Sequence, residues 1–205
     1  LTDAELVAMQ THSNDWYVRH ARVILHHRSI IGKLDAPKVH AKLEEMLKQA
    51  KTQAKRLRAL WALHVTGGLK AKSGARLVEL LSHSDEYVRA WSIQFLCEDK
   101  KPSSKALNKF NDMAKSEKSP VVRLYLAAAL QRLPFEQRWS ILEALAAHEE
   151  DVEDHNIPRM LWLALEPMVP GNQAKALTLA VSSKMPKLQE FVPRRILGEV
   201  SATKP

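Results

Sequence analysis

Apolar side chains recur along the chain every three to four residues, which is the period of an α-helix with one buried face. The stretch after residue 15 is an example, with apolar residues at Val18, Ala21, Ile24 and Leu25. Similar stretches follow through the chain, and none shows the convincing two-residue alternation of a β-strand. The pattern therefore predicts an all-α fold.

Six arginines recur at intervals of 31 to 39 residues, a period typical of arrays in which each repeat is a pair of helices. An aromatic residue often follows two or three positions later, as Trp91 follows Arg89. The six are Arg19, Arg58, Arg89, Arg123, Arg159 and Arg194. We therefore predict an α-solenoid of about six helix pairs, forming a single domain over residues 1–205. Each arginine should lie in the first turn of a second helix.

Capping residues, prolines and glycines predict the helix ends. Thr2 and Glu5 match a capping box, in which each side chain accepts a backbone N–H of the other residue. Gly67-Gly68 should end the second pair, and the third pair should begin with a helix over about residues 73–82. Pro193 lies inside the last helical stretch and predicts a kink or restart there. Further helix starts are expected at Asp15, Asp35, Ser103, Ser119 and Asn156.

The recurring arginine needs a physical explanation, because a cation in the first turn opposes the helix dipole. Asp15 and Asp85 lie four residues before Arg19 and Arg89. We therefore expect the six arginines to be structural, in a ladder of Asp–Arg contacts between successive turns or repeats. A row of ligand-contacting arginines is the alternative.

The net charge of +8 is unevenly distributed along the 205 residues. Residues 33–76 contain eleven Lys and Arg against three acids, which equals the whole excess. A basic segment of this kind attracts phosphates or acidic proteins, although a solvated lysine-rich helix face is the simpler interpretation. The acidic run 149–154 is expected to be a solvated loop in which Asp154 caps the following helix.

The sequence predicts no catalytic, cofactor-binding or metal-binding residue. Nine histidines include His20 and His27 on one helix face, but no His-x-x-x-His pair with a third ligand occurs. Cys97 lies beside two acids, an unfavourable place for a reactive thiolate. No apolar run is long enough to cross a membrane. Since residue 1 is Leu, we expect a piece of a larger chain, whose targeting the sequence does not reveal.

The five tryptophans are the best candidates for more than packing. Trp61, Trp91 and Trp162 fall on apolar helix stripes and are expected in the core, whereas Trp16 lies in a first turn among polar residues. A solenoid would line its concave surface with second helices. The expected binding residues there are Trp16, Arg22, His26, Arg56 and Arg132.

The period and the string Ser119-Pro120-Val121-Val122-Arg123 resemble HEAT repeats. Together with Asn14–Arg22 and Asp154–Pro158, they also resemble the helical-repeat segment of very large bacterial membrane-bound-dehydrogenase-like proteins. That family carries a sugar-dehydrogenase-type propeller before the repeats and a c-type cytochrome module after them. This chain lacks the Cys-x-x-Cys-His string of the haem module. The resemblance implies a spacer or docking module within a periplasmic or otherwise exported protein.

Two functions of different classes follow. The first is a non-catalytic scaffold that binds a protein or the neighbouring domains of a parent chain, as a monomer and without membrane insertion. The alternative is a HEAT-like DNA-binding or alkylbase-repair module that uses residues 33–76. DNA repair requires exposed aromatic side chains beside the basic ones on one concave face, whereas a scaffold requires no such arrangement. For a scaffold, only weak, nonspecific attraction to nucleic acid is expected.

Overall fold

The computed structural model describes residues 1–70 and 74–202, with side chains up to residue 198. Within these ranges every regular element is an α-helix or a short 3₁₀ turn, so the protein is all-α, as the periodicity predicts. The 3₁₀ turns are Met9–Thr11, Glu149–Asp151 and Glu166–Met168. The helices are α1 (Asp3–Ala8), α2 (Asp15–Ile30), α3 (Ala36–Gln49), α4 (Gln53–Val65), α5 (Ala75–Leu80), α6 (Glu86–Leu96), α7 (Ser104–Ser116), α8 (Pro120–Leu130), α9 (Phe135–Ala146), α10 (Ile157–Leu165), α11 (Gln173–Ser182) and α12 (Pro186–Ala202).

Local capping chemistry explains where several helices begin. The Thr2–Glu5 capping box is present in both directions, with the Thr2 N–H donating to Glu5 Oε2 over 2.6 Å. The Ser119 hydroxyl accepts the N–H of Val122, and Pro120 opens α8. The cap of α2 differs from the prediction by one residue, because Asn14 Oδ1 accepts the N–H of Trp16 over 2.9 Å.

Glycines and prolines act at the expected places, with one exception. Gly67 follows the end of α4 with φ of +84°, a left-handed conformation that glycine adopts without strain. The predicted helix over about residues 73–82 is shorter, since α5 begins at Ala75, and Ser73 lies outside the described residues. The restart predicted at Pro193 is wrong, because α12 runs through this residue. The carbonyl of Gln189, which loses its helical donor there, belongs to an exposed residue that water can reach.

The chain divides into two compact units, Leu1–Arg89 and Ala90–Pro205. In the first unit α1 packs on α3 and α2 packs on α4. In the second unit α7 packs on α9, α8 on α10, and α10 on α12. In each of these five contacts, a helix packs on the next but one helix along the chain. The single repeat domain over residues 1–205 stays a prediction.

Leucines dominate the buried core of each unit. Leu25 on α2 and Leu60 on α4 are completely buried in the first unit, as are Phe110 on α7 and Leu130 on α8 in the second. Side chains of this size each contribute about 1.5–3 kcal/mol when fully removed from water. The helices are thus held by the faces that the apolar period selects.

Candidate functional site

Helix α2 carries apolar side chains on two faces. Its inner face is formed by Val18, Ala21 and Leu25, all essentially inaccessible to solvent. A second set of large side chains points to solvent, with Trp16 57%, Val23 66% and Ile30 69% exposed. We call this set the outer face of α2; it consists of Trp16, Tyr17, His20, Val23, Ile24, His27, Ile30 and the adjoining Ile31.

The exposed apolar residues of the outer face follow a strict seven-residue period. They form three adjacent pairs, which are Trp16-Tyr17, Val23-Ile24 and Ile30-Ile31. His20 and His27 lie between the pairs, also seven residues apart and both exposed. Because an α-helix turns by about 100° per residue, these eight positions share one stripe over the whole length of the helix. An apolar stripe of this length on a soluble protein is typical of an interaction site.

Aromatic contacts organise the first turn of the outer face. The His20 ring stacks on Trp16 with 3.8 Å between centroids, and His20 Nδ1 lies 2.9 Å from the Trp16 carbonyl oxygen. Tyr17 meets Trp16 edge-on at 5.0 Å, and His12 meets Tyr17 at 4.9 Å. The four rings support one another, so a partner would order few additional rotamers on contacting them.

Asp15 connects the start of α2 to α4. Its carboxylate binds Arg19 on the same helix at 2.6 Å and Arg58 on α4 at 3.0 Å. The hydrogen bond from Arg19 and the positive charge of both guanidinium groups lower the pKa of Asp15. Asp15 is therefore charged at neutral pH and fixes the first turn of α2 against its neighbour, rather than capping it.

Arg22 lies beside the outer face and above an aromatic ring. Its guanidinium carbon is 5.2 Å from the centre of the Trp61 ring. Arg22 Nη1 is buried without a hydrogen-bond partner among the described residues. Burial lowers the pKa of Arg22; the charge of Asp15 opposes this shift, whereas the charges of Arg19 and Arg58 act in the same direction.

The arginines of the basic segment 33–76 take part in internal ion pairs. Arg56 binds Asp85 and the Ala50 carbonyl, while Arg58 binds Asp15. Arg76 forms two hydrogen bonds with Glu44, of 2.8 and 3.0 Å. The basic residues of this segment that have no carboxylate partner among the described residues are all lysines. They are Lys33, Lys48, Lys51, Lys55 and Lys70. Lys72 lies outside the described residues.

The six repeat arginines have different environments. Arg58 reaches Asp15 on the neighbouring helix pair, and Arg123 reaches Asp151 in two hydrogen bonds of 2.5 Å. Arg89 donates to the carbonyls of His83 and Ser84. Each of the remaining three arginines contacts the residue four positions before it in the sequence. The pairs are Arg19 with Asp15, Arg159 with His155 and Arg194 with Glu190.

The expectation of a solvated acidic run is wrong for Asp151. This residue is only 1% exposed and binds Arg123, which is 2% exposed. The distant arginine replaces the hydration that an isolated carboxylate would require. The capping role expected for Asp154 is present, because its Oδ1 accepts the N–H of Ile157 over 2.8 Å.

The expected burial of Trp61, Trp91 and Trp162 is also corrected, because all three are half-buried. Each lies at the border between core and solvent. Trp91 lies against Phe95 and Tyr125, and Trp162 lies against Phe191 at 5.4 Å. Trp139 is the buried tryptophan, at 8% exposure.

The five predicted binding residues do not form one group. Trp16, Arg22 and His26 all lie on α2, where Trp16 and His26 are exposed and Arg22 is half-buried. Arg56 is occupied by Asp85, so it is a structural residue in the first unit. Arg132 belongs to the second unit and is half-buried near Cys97.

Among the grooves formed by the described residues of the first unit are two of similar volume. One, between α1 and α3, has a volume of about 650 Å³ and a largely apolar lining that includes Ala4, Val7 and Val39. The other, between α3 and α5, has a volume of about 630 Å³ and is lined by charged residues including Glu44, Lys48 and Arg76. The second groove contains the internal ion pair between Glu44 and Arg76, which already satisfies its strongest charges.

The described residues give information on metal binding, thiol reactivity and membrane crossing. No cluster of three or more His, Cys, Asp or Glu residues with metal-binding geometry occurs there. Burial raises the pKa of Cys97 to about 12, so its thiolate is scarcely populated at neutral pH. No described helix has the length and apolar character required to cross a bilayer.

Comparisons with family models, curated proteins and solved structures give no match to this chain. The HEAT-like resemblance therefore stays a hypothesis based on residues within this sequence.

Proposed function

We propose that the chain is a non-catalytic interaction module, built as an α-solenoid of about six HEAT-like helix pairs. The side-by-side packing of successive first and second helices within each unit supports this architecture. In a solenoid each pair contacts its neighbours, so the surface that remains is large and available for binding.

The outer face of α2 is the observation that carries the proposal. Large apolar side chains normally lie scattered over a soluble protein, whereas here six of them follow one helix. Tryptophan and tyrosine dominate the binding energy of many protein interfaces, and both occur at the start of this face. A protein partner that covers the face would remove these side chains from water.

The resemblance to the dehydrogenase-like bacterial proteins suggests a wider role. In that setting the module would be a spacer that holds a propeller and a cytochrome module in an exported protein. The outer face of α2 would then contact another domain of the same chain or a separate protein. We further propose that the isolated module is monomeric, since self-pairing of α2 would bring the edges that carry Arg19 and Arg22 of two copies together.

A nucleic-acid-binding function is the second hypothesis, and the basic segment 33–76 is its support. Arg56, Arg58 and Arg76 are engaged with carboxylates, so they are poorly placed to bind phosphates. The exposed aromatic residues of the first unit lie on α2, and the unpartnered lysines lie mostly on and around α3 and α4. Weak, salt-sensitive attraction is therefore all that we expect.

Site-specific crosslinking tests the proposed function. The photoreactive residue p-benzoylphenylalanine would replace Val23 on the outer face or, as a matched control, Val181 on α11. Val181 is 81% exposed but lies in the other unit. After irradiation in an extract of the source cells, we expect a product at Val23 that is absent at Val181. Mass spectrometry would identify the protein, and purified components should reproduce the product.

The control decides how the result is interpreted. Equal products at both positions would indicate nonspecific reaction of exposed apolar sites and would contradict the proposal. The absence of a specific product at Val23, in extract and in the intact parent protein, would contradict it as well. Glycosylase activity on alkylated DNA would favour the second hypothesis.

A further inference from the structure

The spacing on the outer face of α2 restricts the shape of the partner. Residues at seven-residue intervals, with a second set displaced by four, occupy the positions at which two α-helices pack side by side. Trp16, Val23 and Ile30 form one such set, and His20 and His27 form the other. A β-strand partner would require a different period, and the stripe extends over about 22 Å, which is the length of a four-turn helix.

The charges beside the stripe restrict the partner's chemistry. Exposed Arg19 carries a charge along one edge of the outer face, and the exposed imidazole of His26 lies seven residues further along the same edge. Half-buried Arg22 lies further round the same side, and exposed Lys33 follows the end of α2. Asp15 at this end of the helix is shared by Arg19 and Arg58, so one positive charge remains in excess among these three residues, and the side chain of Arg19 is exposed. This edge therefore favours an acidic partner.

A second copy of this chain fits the edge poorly. In an antiparallel pair of α2 helices, the edge of one copy that carries Arg19 and Arg22 would face the same edge of the other. Small cationic ligands fit poorly as well. Although Trp16, Tyr17, His12 and His20 form a group of rings, the arginines beside them would repel a quaternary ammonium ion.

We propose that the outer face of α2 binds an amphipathic α-helix with apolar residues at seven-residue spacing and Glu or Asp along one edge. This inference rests on the proposed function, which it deepens by naming the class of partner. The Trp16–His20 stack and Tyr17 contact a large apolar residue near one end of that helix. The Val23-Ile24 and Ile30-Ile31 pairs contact the next two turns, and Arg19 and His26 bind its carboxylates.

Designed peptides test the proposal without knowledge of the natural partner. Two helical peptides of about 21 residues, long enough to span α2, would share leucines at the contact positions. One would carry Glu and the other Lys at every flanking position. We expect the acidic peptide to bind about tenfold more tightly than the basic one, as measured by fluorescence anisotropy at ~0.1 M salt.

Variants show whether binding uses this face. The double variant Val23→Asp, Ile30→Asp should weaken binding of the acidic peptide by more than about tenfold, because it places charges on the apolar stripe. The control Val181→Asp should leave binding unchanged. The double variant Arg19→Glu, His26→Glu should reverse the preference toward the basic peptide, which loss of folding alone would not do.

Other outcomes separate this inference from the proposed function. Equal affinity for both peptides, or binding unaffected by the variants at Val23 and Ile30, would overturn the acidic-helix proposal. If crosslinking at Val23 then still gave a specific product, the interaction function would stand without it. A dimer that Val23→Asp dissociates, observed by analytical ultracentrifugation, would assign the face to a second copy and would also overturn the proposal.

Discussion

Removing the carboxylate of Asp151 should be one of the most destabilising single substitutions in the second unit. Arg123 donates two hydrogen bonds of 2.5 Å to Asp151 and a third of 2.8 Å to the Glu117 carbonyl. Both members of the ion pair are almost completely buried. Asp151→Ala would leave the charged guanidinium inside the protein with only partial compensation.

The expected loss is about 3–5 kcal/mol of unfolding free energy, the usual range when one partner of a buried ion pair is removed. Glu150 lies 3.5 Å from Arg123 Nη1 and is more than half exposed. It can take over part of the interaction, so we expect the lower end of that range. Replacing both partners, as in Arg123→Met with Asp151→Leu, should cost much less, because no charge then remains buried.

Urea unfolding followed by circular dichroism would measure these differences. Glu153→Ala removes an exposed acid from the same run and should change stability by no more than about 0.5 kcal/mol. A loss below about 1 kcal/mol for Asp151→Ala would refute the reasoning. It would mean that water reaches the pair in solution, and that the acidic run is solvated throughout.

Three further predictions concern protonation and charge. The N–H of Asp35 and the guanidinium of Arg28 lower the pKa of Asp3, so its contribution is present above its ordinary value of 3.8 and is lost as the pH falls through the lowered value. The melting temperature of Asp3→Asn should therefore be below that of the wild type at pH 7, and this difference should shrink as the pH falls below 3.8. A difference that stays constant at acidic pH would contradict the prediction. Because burial raises the pKa of Cys97 to about 12, iodoacetamide at neutral pH should label it only in urea, and rapid labelling of the folded protein would contradict its burial. Undamaged duplex DNA should bind no more tightly than about 10⁻⁵ M at physiological salt, and selective submicromolar binding to alkylated or abasic DNA would favour the repair hypothesis.

Local signals in the sequence predicted most helix starts correctly. A capping box or a Ser-Pro pair acts within four residues, so its geometry depends little on the rest of the protein. The Thr2–Glu5 box and the start of α8 are examples. Asp15 shows the limit of this approach, because a second polar residue one position earlier takes the capping role. Asp15 instead forms an ion pair with Arg58 on α4, a residue that is distant in the sequence.

The apolar pattern did not predict the burial of Asp151 or the exposure of Ile24, because both depend on residues that are distant in the sequence. Asp151 lies in a charged run that resembles a solvated loop, and only contact with Arg123 explains its burial. Ile24 was assigned to the inner face of α2 together with Leu25, but it is 39% exposed. On a helix with apolar residues on most sides, periodicity alone does not select the face that meets the core.

The outer face of α2 was nevertheless visible in the sequence as three apolar pairs at seven-residue spacing. The helical period of 3.6 accounts for Val18, Ala21 and Leu25, which face the protein's own core. The outer face of α2, on the opposite side of the helix, is not covered by any described part of this unit. Apolar side chains on two opposite sides of one helix indicate two different packing partners. The repeat arginines, in contrast, have no common partner, so they are poor candidates for a continuous ligand-binding row, and the second apolar face of α2 is the stronger guide to function.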